Sequence, residues 1–149
     1  DLFSGVGTFA LPLAKKARVH AVEQDALALA ALAEAAKSPG LKPVTTERRD
    51  LFKLPLTLPE LNSYDAVVLD PPFAGAAEQA ALLARSAVPA VIYVSCNPQA
   101  LARDLRAFAD QGWRVDAATP IDQFLWSGQL EAVVALRSRP PRGRASDKL

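Results

Sequence analysis

Residues 1–25 read DLFSGVGTFALPLAKKARVHAVEQD, a glycine-rich turn, a helical stretch and a short apolar strand that closes on an acid. Gly5 and Gly7 let the backbone pass close to a ligand, and the helix that follows offers free N–H groups at its start. Glu23 closes the next strand roughly 20 residues after the turn, where a carboxylate can accept hydrogen bonds from ribose hydroxyls. A strand-end carboxylate in water is the plainer reading of Glu23. Beside the glycine turn, a nucleoside ligand is the stronger one.

Working outward, short apolar runs alternate with helical patterns, as in a parallel α/β sheet. A helix is predicted over Thr8–Lys16 and a strand over Arg18–Glu23. Strong helix formers fill Asp25–Lys37, with Ser38, Pro39 and Gly40 as stops. Strands are predicted over Pro43–Arg48, Asp65–Asp70, Ala90–Ser95, Trp113–Ala118 and Leu130–Leu136. The proline-bearing stretch Leu54–Ser63 and the span Thr119–Gln129 read as loops. A helix is predicted over Ala76–Ser86, and another opens with Asn97 as N-cap and Pro98 at its first position, reaching Asp110. The expected fold is α/β, a Rossmann-like sheet that is mostly parallel with an antiparallel last strand.

A glycine turn of this type follows a strand, and the chain opens on the turn itself, at Asp1, with no methionine anywhere. We therefore expect a fragment whose first strand is missing. One catalytic domain is expected over 1–137, followed by a basic, disordered tail over 138–149 that carries Arg139, Arg142, Arg144 and Lys148. The 149 residues suffice for a single core, and the net charge of +1 does not announce a nucleic-acid partner. One cysteine, Cys96, excludes an internal disulfide and a four-cysteine metal or iron–sulfur site. No metal is expected within the chain, no apolar run suits a membrane span, and a reducing, cytoplasmic setting is expected.

The residues with chemistry fall at the carboxyl ends of the predicted strands, where open α/β sheets bind ligands. Asp50 can meet an adenine amino group or cap a turn. Asp70 precedes two prolines, which restrict the local backbone and make a rigid carboxylate. Cys96 lies between a strand end and a helix N-terminus, a place that favours a thiolate nucleophile. Glu131 opens the last strand. If that strand is antiparallel, Glu131 shares an edge with Cys96 and suits a general base. The glycine turn and Glu23 do not by themselves separate a nicotinamide dinucleotide from S-adenosylmethionine.

With VVLDPPFAGA at 67–76, VSCNPQALARDL at 94–105 and DQFLWSGQLEAVVAL at 122–136 in this order, the chain resembles the RNA 5-methyluridine methyltransferases. DLFSGVGTFALPLA resembles their first cofactor motif and VHAVEQD their second. The resemblance implies S-adenosylmethionine as cofactor, held by Phe3, Thr8 and Glu23, and the reading of the residues adds Gly5, Gly7, Asp50 and Asp70 to that site. It implies a uridine of transfer or ribosomal RNA as substrate, turned out of its stack, and a covalent Cys96–uracil C6 intermediate. Glu131 would then remove the C5 proton, and Asp70 would bind the uracil or order the site. Family members usually carry arginine at the position of Phe73 and histidine at that of Gln129, and in some members an iron–sulfur cluster lies upstream. Two other readings are an amino-methyltransferase acting on adenine or guanine of nucleic acid, which needs no nucleophilic cysteine, and a binding domain that has lost its chemistry.

Overall fold

The computed structural model describes residues 1–124, 126–127 and 130–138. Gln129 and the tail beyond Ser138 lie outside the described residues. The elements are α1 (Ala10–Ala14), β1 (Val19–Glu23), α2 (Ala26–Ala35), β2 (Val44–Arg48), α3 (Leu58–Leu61), β3 (Val67–Leu69), α4 (Ala77–Arg85), β4 (Ala90–Ser95), α5 (Pro98–Asp110), β5 (Arg114–Ile121) and β6 (Glu131–Arg137). β1 pairs with β2 and β3 with β4, both in parallel. β6 lies antiparallel between β4 and β5, as the sequence leads one to expect.

Leu2 joins the two halves of the sheet through parallel bridges to Val22 and Leu69. Its N–H donates to the Val68 carbonyl at 2.9 Å, and the Leu2 carbonyl accepts from the Asp70 N–H at 3.3 Å. The order across the sheet is therefore β2, β1, Leu2, β3, β4, β6, β5. Below Leu2, at the amino ends of β1 and β3, a cavity of about 690 Å³ opens between Val19, His20, Val67 and Val68. It lies at the edge of the sheet opposite the candidate site. Among the described residues, no helix is long and apolar enough to cross a membrane.

Three elements differ from the sequence reading. α1 begins at Ala10 and not Thr8, because Pro12 has no N–H to give the Thr8 carbonyl. α3 interrupts the expected loop: the Glu60 carboxylate reaches back to the Thr57 N–H and hydroxyl, both at 2.7 Å, an acceptor three residues into the helix closing its first turn. β5 continues through Thr119, Pro120 and Ile121, which pair with Val133, Ala132 and Glu131. Pro120 is tolerated there because β5 is an edge strand.

The main core gathers Leu2, Val22, Leu69, Val91, Tyr93, Leu101, Phe108 and Leu136 among others. A second cluster, Ala10, Ala14, Val19, Ala21 and Leu32, seats the start of the chain on α2 and β1. Gly7 makes this seat possible. It has φ +96°, and a Cβ there would stand 2.4 Å from Leu32 Cδ1, on a side chain that is fully buried. Gly7→Ala is therefore expected to lower the unfolding free energy by about 2–4 kcal/mol, from left-handed backbone strain and overpacking together. Chemical denaturation would read this as a lower midpoint at unchanged slope. An unchanged midpoint would mean that the turn has room to shift.

Candidate active site at the carboxyl ends of the strands

The glycine turn is fastened to β1. The Ser4 N–H donates to the Val22 carbonyl at 3.1 Å, and the Gly5 N–H donates to Glu23 Oε2 at 3.0 Å. Glu23 Oε1 accepts from the Gln24 and Asp25 N–H groups at 2.7 and 3.0 Å. Glu23 thus orders the turn, and its Oε2, with one donor, retains acceptor capacity. Phe3 holds φ +60°, a conformation that costs a non-glycine residue on the order of 1–3 kcal/mol and gathers at functional sites. Its ring meets that of Phe52 at 5.4 Å. Thr8 is exposed.

Asp50 takes the turn-capping role. Its Oδ1 accepts from the Phe52 N–H at 3.1 Å, and its Oδ2 pairs with Lys53 at 3.2 Å. The Lys53 and Phe52 donors hold its carboxyl below the usual range.

Two groups in the turn escaped the sequence reading. Both carboxylate oxygens of Asp1 and the Ser4 hydroxyl are buried without a hydrogen-bond partner among the described residues. A buried acceptor left unpaired is costly, and a carboxylate more so. Their position flanking a glycine turn is the sequence signal that could have pointed to them.

Across the sheet, Asp70 follows β3, Cys96 follows β4 and Glu131 opens β6. Ser95 pairs with Ala132, so Cys96 and Glu131 come together at the same end of two neighbouring antiparallel strands. Cys96 is half-buried. Glu131 Oε2 accepts from Gln123 Nε2 at 2.7 Å, and its Oε1 is buried without a partner among the described residues. Burial, and then the negative charge of Asp70, push the Glu131 carboxyl above the ordinary range. Burial raises Asp70 as well.

The negative charge of Asp70 thus acts on Glu131. Removing one charge lowers the pKa of the other group. Asp70→Asn should move the Glu131 pKa down, so the acid limb of any reaction that needs ionised Glu131 should move to lower pH. A pH–rate profile of the two proteins checks this, and an unmoved acid limb would uncouple the pair.

The loop from Asp70 to Ala76 is held by α5 and β4. The Asn97 side chain accepts from the Gln99 and Ala100 N–H groups at 3.0 and 3.3 Å, capping α5. Its Nδ2 donates to the Phe73 carbonyl at 2.9 Å. Arg103 donates to the Ala74 carbonyl at 2.9 Å. The Ala76 N–H donates to Asp104 Oδ2 at 2.7 Å, and the Tyr93 hydroxyl donates to the same oxygen. Asp104, 2 % exposed, also binds Arg103 through Oδ1 at 2.8 Å. Gly75 is needed here: at φ +76° its Cβ would fall 2.7 Å from both Asp104 Oδ2 and an Arg103 nitrogen. Asp104 shares the buried face of α5 with Ala100, Leu101 and Phe108.

The edge thus carries Asp70 and Glu131, carboxylates buried in part, with a vacant acceptor position on Glu131. Such a donor set fits a cationic ligand, since a nearby positive charge offsets the cost of burying carboxylates. S-adenosylmethionine has this character. Among the described residues, no group of His, Cys, Asp and Glu is arranged to hold a metal ion.

The comparisons agree with this architecture. A family model described as tRNA (Uracil-5-)-methyltransferase matches residues 1–139. An uncharacterized RNA methyltransferase of Mesorhizobium japonicum is 59% identical over 145 residues, covering 97% of this chain and 35% of its own. The 23S rRNA (uracil(1939)-C(5))-methyltransferase of Chromohalobacter salexigens is 37% identical over 147 residues, covering 98% of this chain and 30% of its own. The chain thus spans about a third of the length of the curated relatives it matches. Among solved structures, TrmN from Thermus thermophilus superposes with a TM-score of 0.67 at 26% identity, over 93% of this chain and 43% of that one. The cyclase SpnF, at TM-score 0.72 and 13% identity over 95% of this chain and 74% of its own, shares the fold alone. With the family model matched from Asp1 to Arg139, this Rossmann-like chain belongs to the tRNA (uracil-5-)-methyltransferase family.

Proposed function

We propose that the chain is the catalytic part of an RNA methyltransferase that moves a methyl group from S-adenosylmethionine to C5 of a uridine, through a covalent bond between Cys96 and uracil C6. The observation that carries this reading is the pairing of β4 with antiparallel β6, which brings the half-buried Cys96 and the partly unpartnered Glu131 to one end of the sheet. An amino-methyltransferase has no use for that pair.

Bound S-adenosylmethionine supplies a methyl group on a positively charged sulfur, open to attack by a carbon nucleophile. Phe3, Gly5, Gly7, Thr8 and Glu23 would hold it, with Asp50, Asp70 and the unpartnered Ser4 near its charged and polar parts. The remaining chemistry belongs to the chain. The Cys96 thiolate adds to C6, and the ring electrons shift to make C5 nucleophilic. After C5 is alkylated it still bears its proton. Glu131 takes that proton, the C5–C6 double bond re-forms, and the Cys96–C6 bond breaks to return the thiolate. Asp70, fixed by Pro71 and Pro72, would bind the uracil edge or order the site.

The test is mass spectrometry of the full-length parent protein with S-adenosylmethionine and 5-fluorouridine-containing RNA. Fluorine at C5 cannot leave as a proton, so methylated RNA should remain attached through Cys96. Methyl transfer to ordinary RNA without any such adduct would overturn the uracil reading in favour of amino methylation. Failure of both would leave the binding domain.

A further inference from the structure

The chain keeps one large aromatic side chain in solvent beside Cys96, on a backbone that is unusually well secured. Phe73 is 56% exposed. Its carbonyl is held by Asn97, the residue after Cys96, at 2.9 Å. The next carbonyl is held by Arg103 at 2.9 Å, and the Ala76 N–H by buried Asp104 at 2.7 Å. Pro71 and Pro72 stiffen the approach, and the Gly75 N–H closes a turn onto the Pro72 carbonyl at 2.8 Å. A loop fixed at both ends and in the middle presents the ring at a set position.

We infer that Phe73 is a stacking platform for a nucleobase of the bound RNA, with Asn97, Arg103 and Asp104 as the positioning residues that hold it. The inference rests on the RNA reading above. Unstacked bases are recognised largely by aromatic faces, and each such contact is sequence-tolerant. Other exposed aromatics serve less well. Phe52 is engaged by the ring of Phe3 at 5.4 Å, on the cofactor side of the edge. Trp126 is fully exposed but is not tied to the Cys96 helix.

The test compares Phe73→Leu, Phe73→Trp and wild type in the full-length protein. Affinity for a uridine-rich single-stranded RNA is measured by fluorescence anisotropy, with S-adenosylmethionine affinity as the control. Phe73→Leu should weaken RNA binding by about 5- to 150-fold, the range of one lost base–aromatic stack. Phe73→Trp should restore it, and cofactor affinity should stay constant in both. Unchanged RNA binding in the leucine variant would overturn the inference. So would equal losses in both variants, which would mean that the ring only packs the loop, or no RNA binding by wild type. Because binding is read directly, these results stand apart from the fluorouridine adduct: loss of the adduct with the leucine–tryptophan split intact would remove uracil chemistry and leave the platform.

Discussion

Cys96→Ala in the full-length protein should lower methyl transfer by on the order of 10⁴-fold or more, as removal of a covalent nucleophile does, while S-adenosylmethionine affinity stays within about twofold of wild type. C5 of uracil attacks a methyl donor poorly until a nucleophile has added at C6, so the effect falls on chemistry. The fold gives little reason for a loss of binding. Cys96 is half-buried at the end of β4, while the turn assigned to the cofactor is fastened to β1 through Glu23 and Val22. α5 is also capped without the thiol, by the Asn97 side chain. Cys96→Ser should be nearly as inactive, because a hydroxyl is scarcely ionised near neutral pH. Single-turnover transfer of labelled methyl, read beside calorimetric titration, separates the outcomes. A parallel fall in affinity would make the cysteine a packing residue, and retained transfer would remove it from the mechanism.

Periodicity and punctuation made most of the fold legible. Asn97-Pro98 marked the start of α5, and Asp25 caps α2 through the Leu27 and Ala28 N–H groups at 2.8 and 3.0 Å. Both are local chemistry, written within three residues. α3 was equally local, yet the proline-bearing stretch around it masked the Thr57–Glu60 signal. The extension of β5 to Ile121 was not local: Pro120 has poor strand character alone and is in a strand only because β6 offers Ala132 as its partner.

The candidate site divides in the same way. Gly5, Gly7, Asp70, Cys96 and Glu131 could be found because each stands at a strand end, and topology alone sends strand ends to one edge. What holds them could not be read in this manner. Asp104 in Arg-Asp-Leu-Arg reads as an exposed helix acid, and only packing shows it buried against Tyr93 and the Ala76 N–H. The pairing of Gln123 with Glu131 likewise depends on how β5 and β6 meet. Nor could the sequence give the sign of the Glu131 shift, since a strand-opening acid can as easily lie in water. Its burial and the nearness of Asp70 set that sign.

That shift bears on the second large effect. Glu131→Gln should let a covalent RNA–protein complex accumulate with unmodified uridine RNA, visible as a species resistant to denaturing electrophoresis, and should slow its release by about 10²–10⁴-fold, the usual worth of a positioned base. The amide is nearly isosteric. Its oxygen can still accept from Gln123, which now donates to Glu131 Oε2 at 2.7 Å, so the β5–β6 contact should survive. Its NH₂ would take the place of the buried Oε1 that has no partner among the described residues. Addition of Cys96 to C6 and alkylation at C5 need no proton removed by residue 131, and both should proceed. Elimination needs that proton gone, and the amide cannot take it. In wild type the raised pKa makes Glu131 a stronger base once ionised, at the cost of activity on the acid side, where it is protonated. The wild-type release rate should therefore rise with pH through the Glu131 pKa, whereas the glutamine variant should show no such limb. Unchanged turnover in the variant, or a complex no more abundant than in wild type, would assign proton removal to another group and leave Glu131 as a structural carboxylate at the mouth of β6.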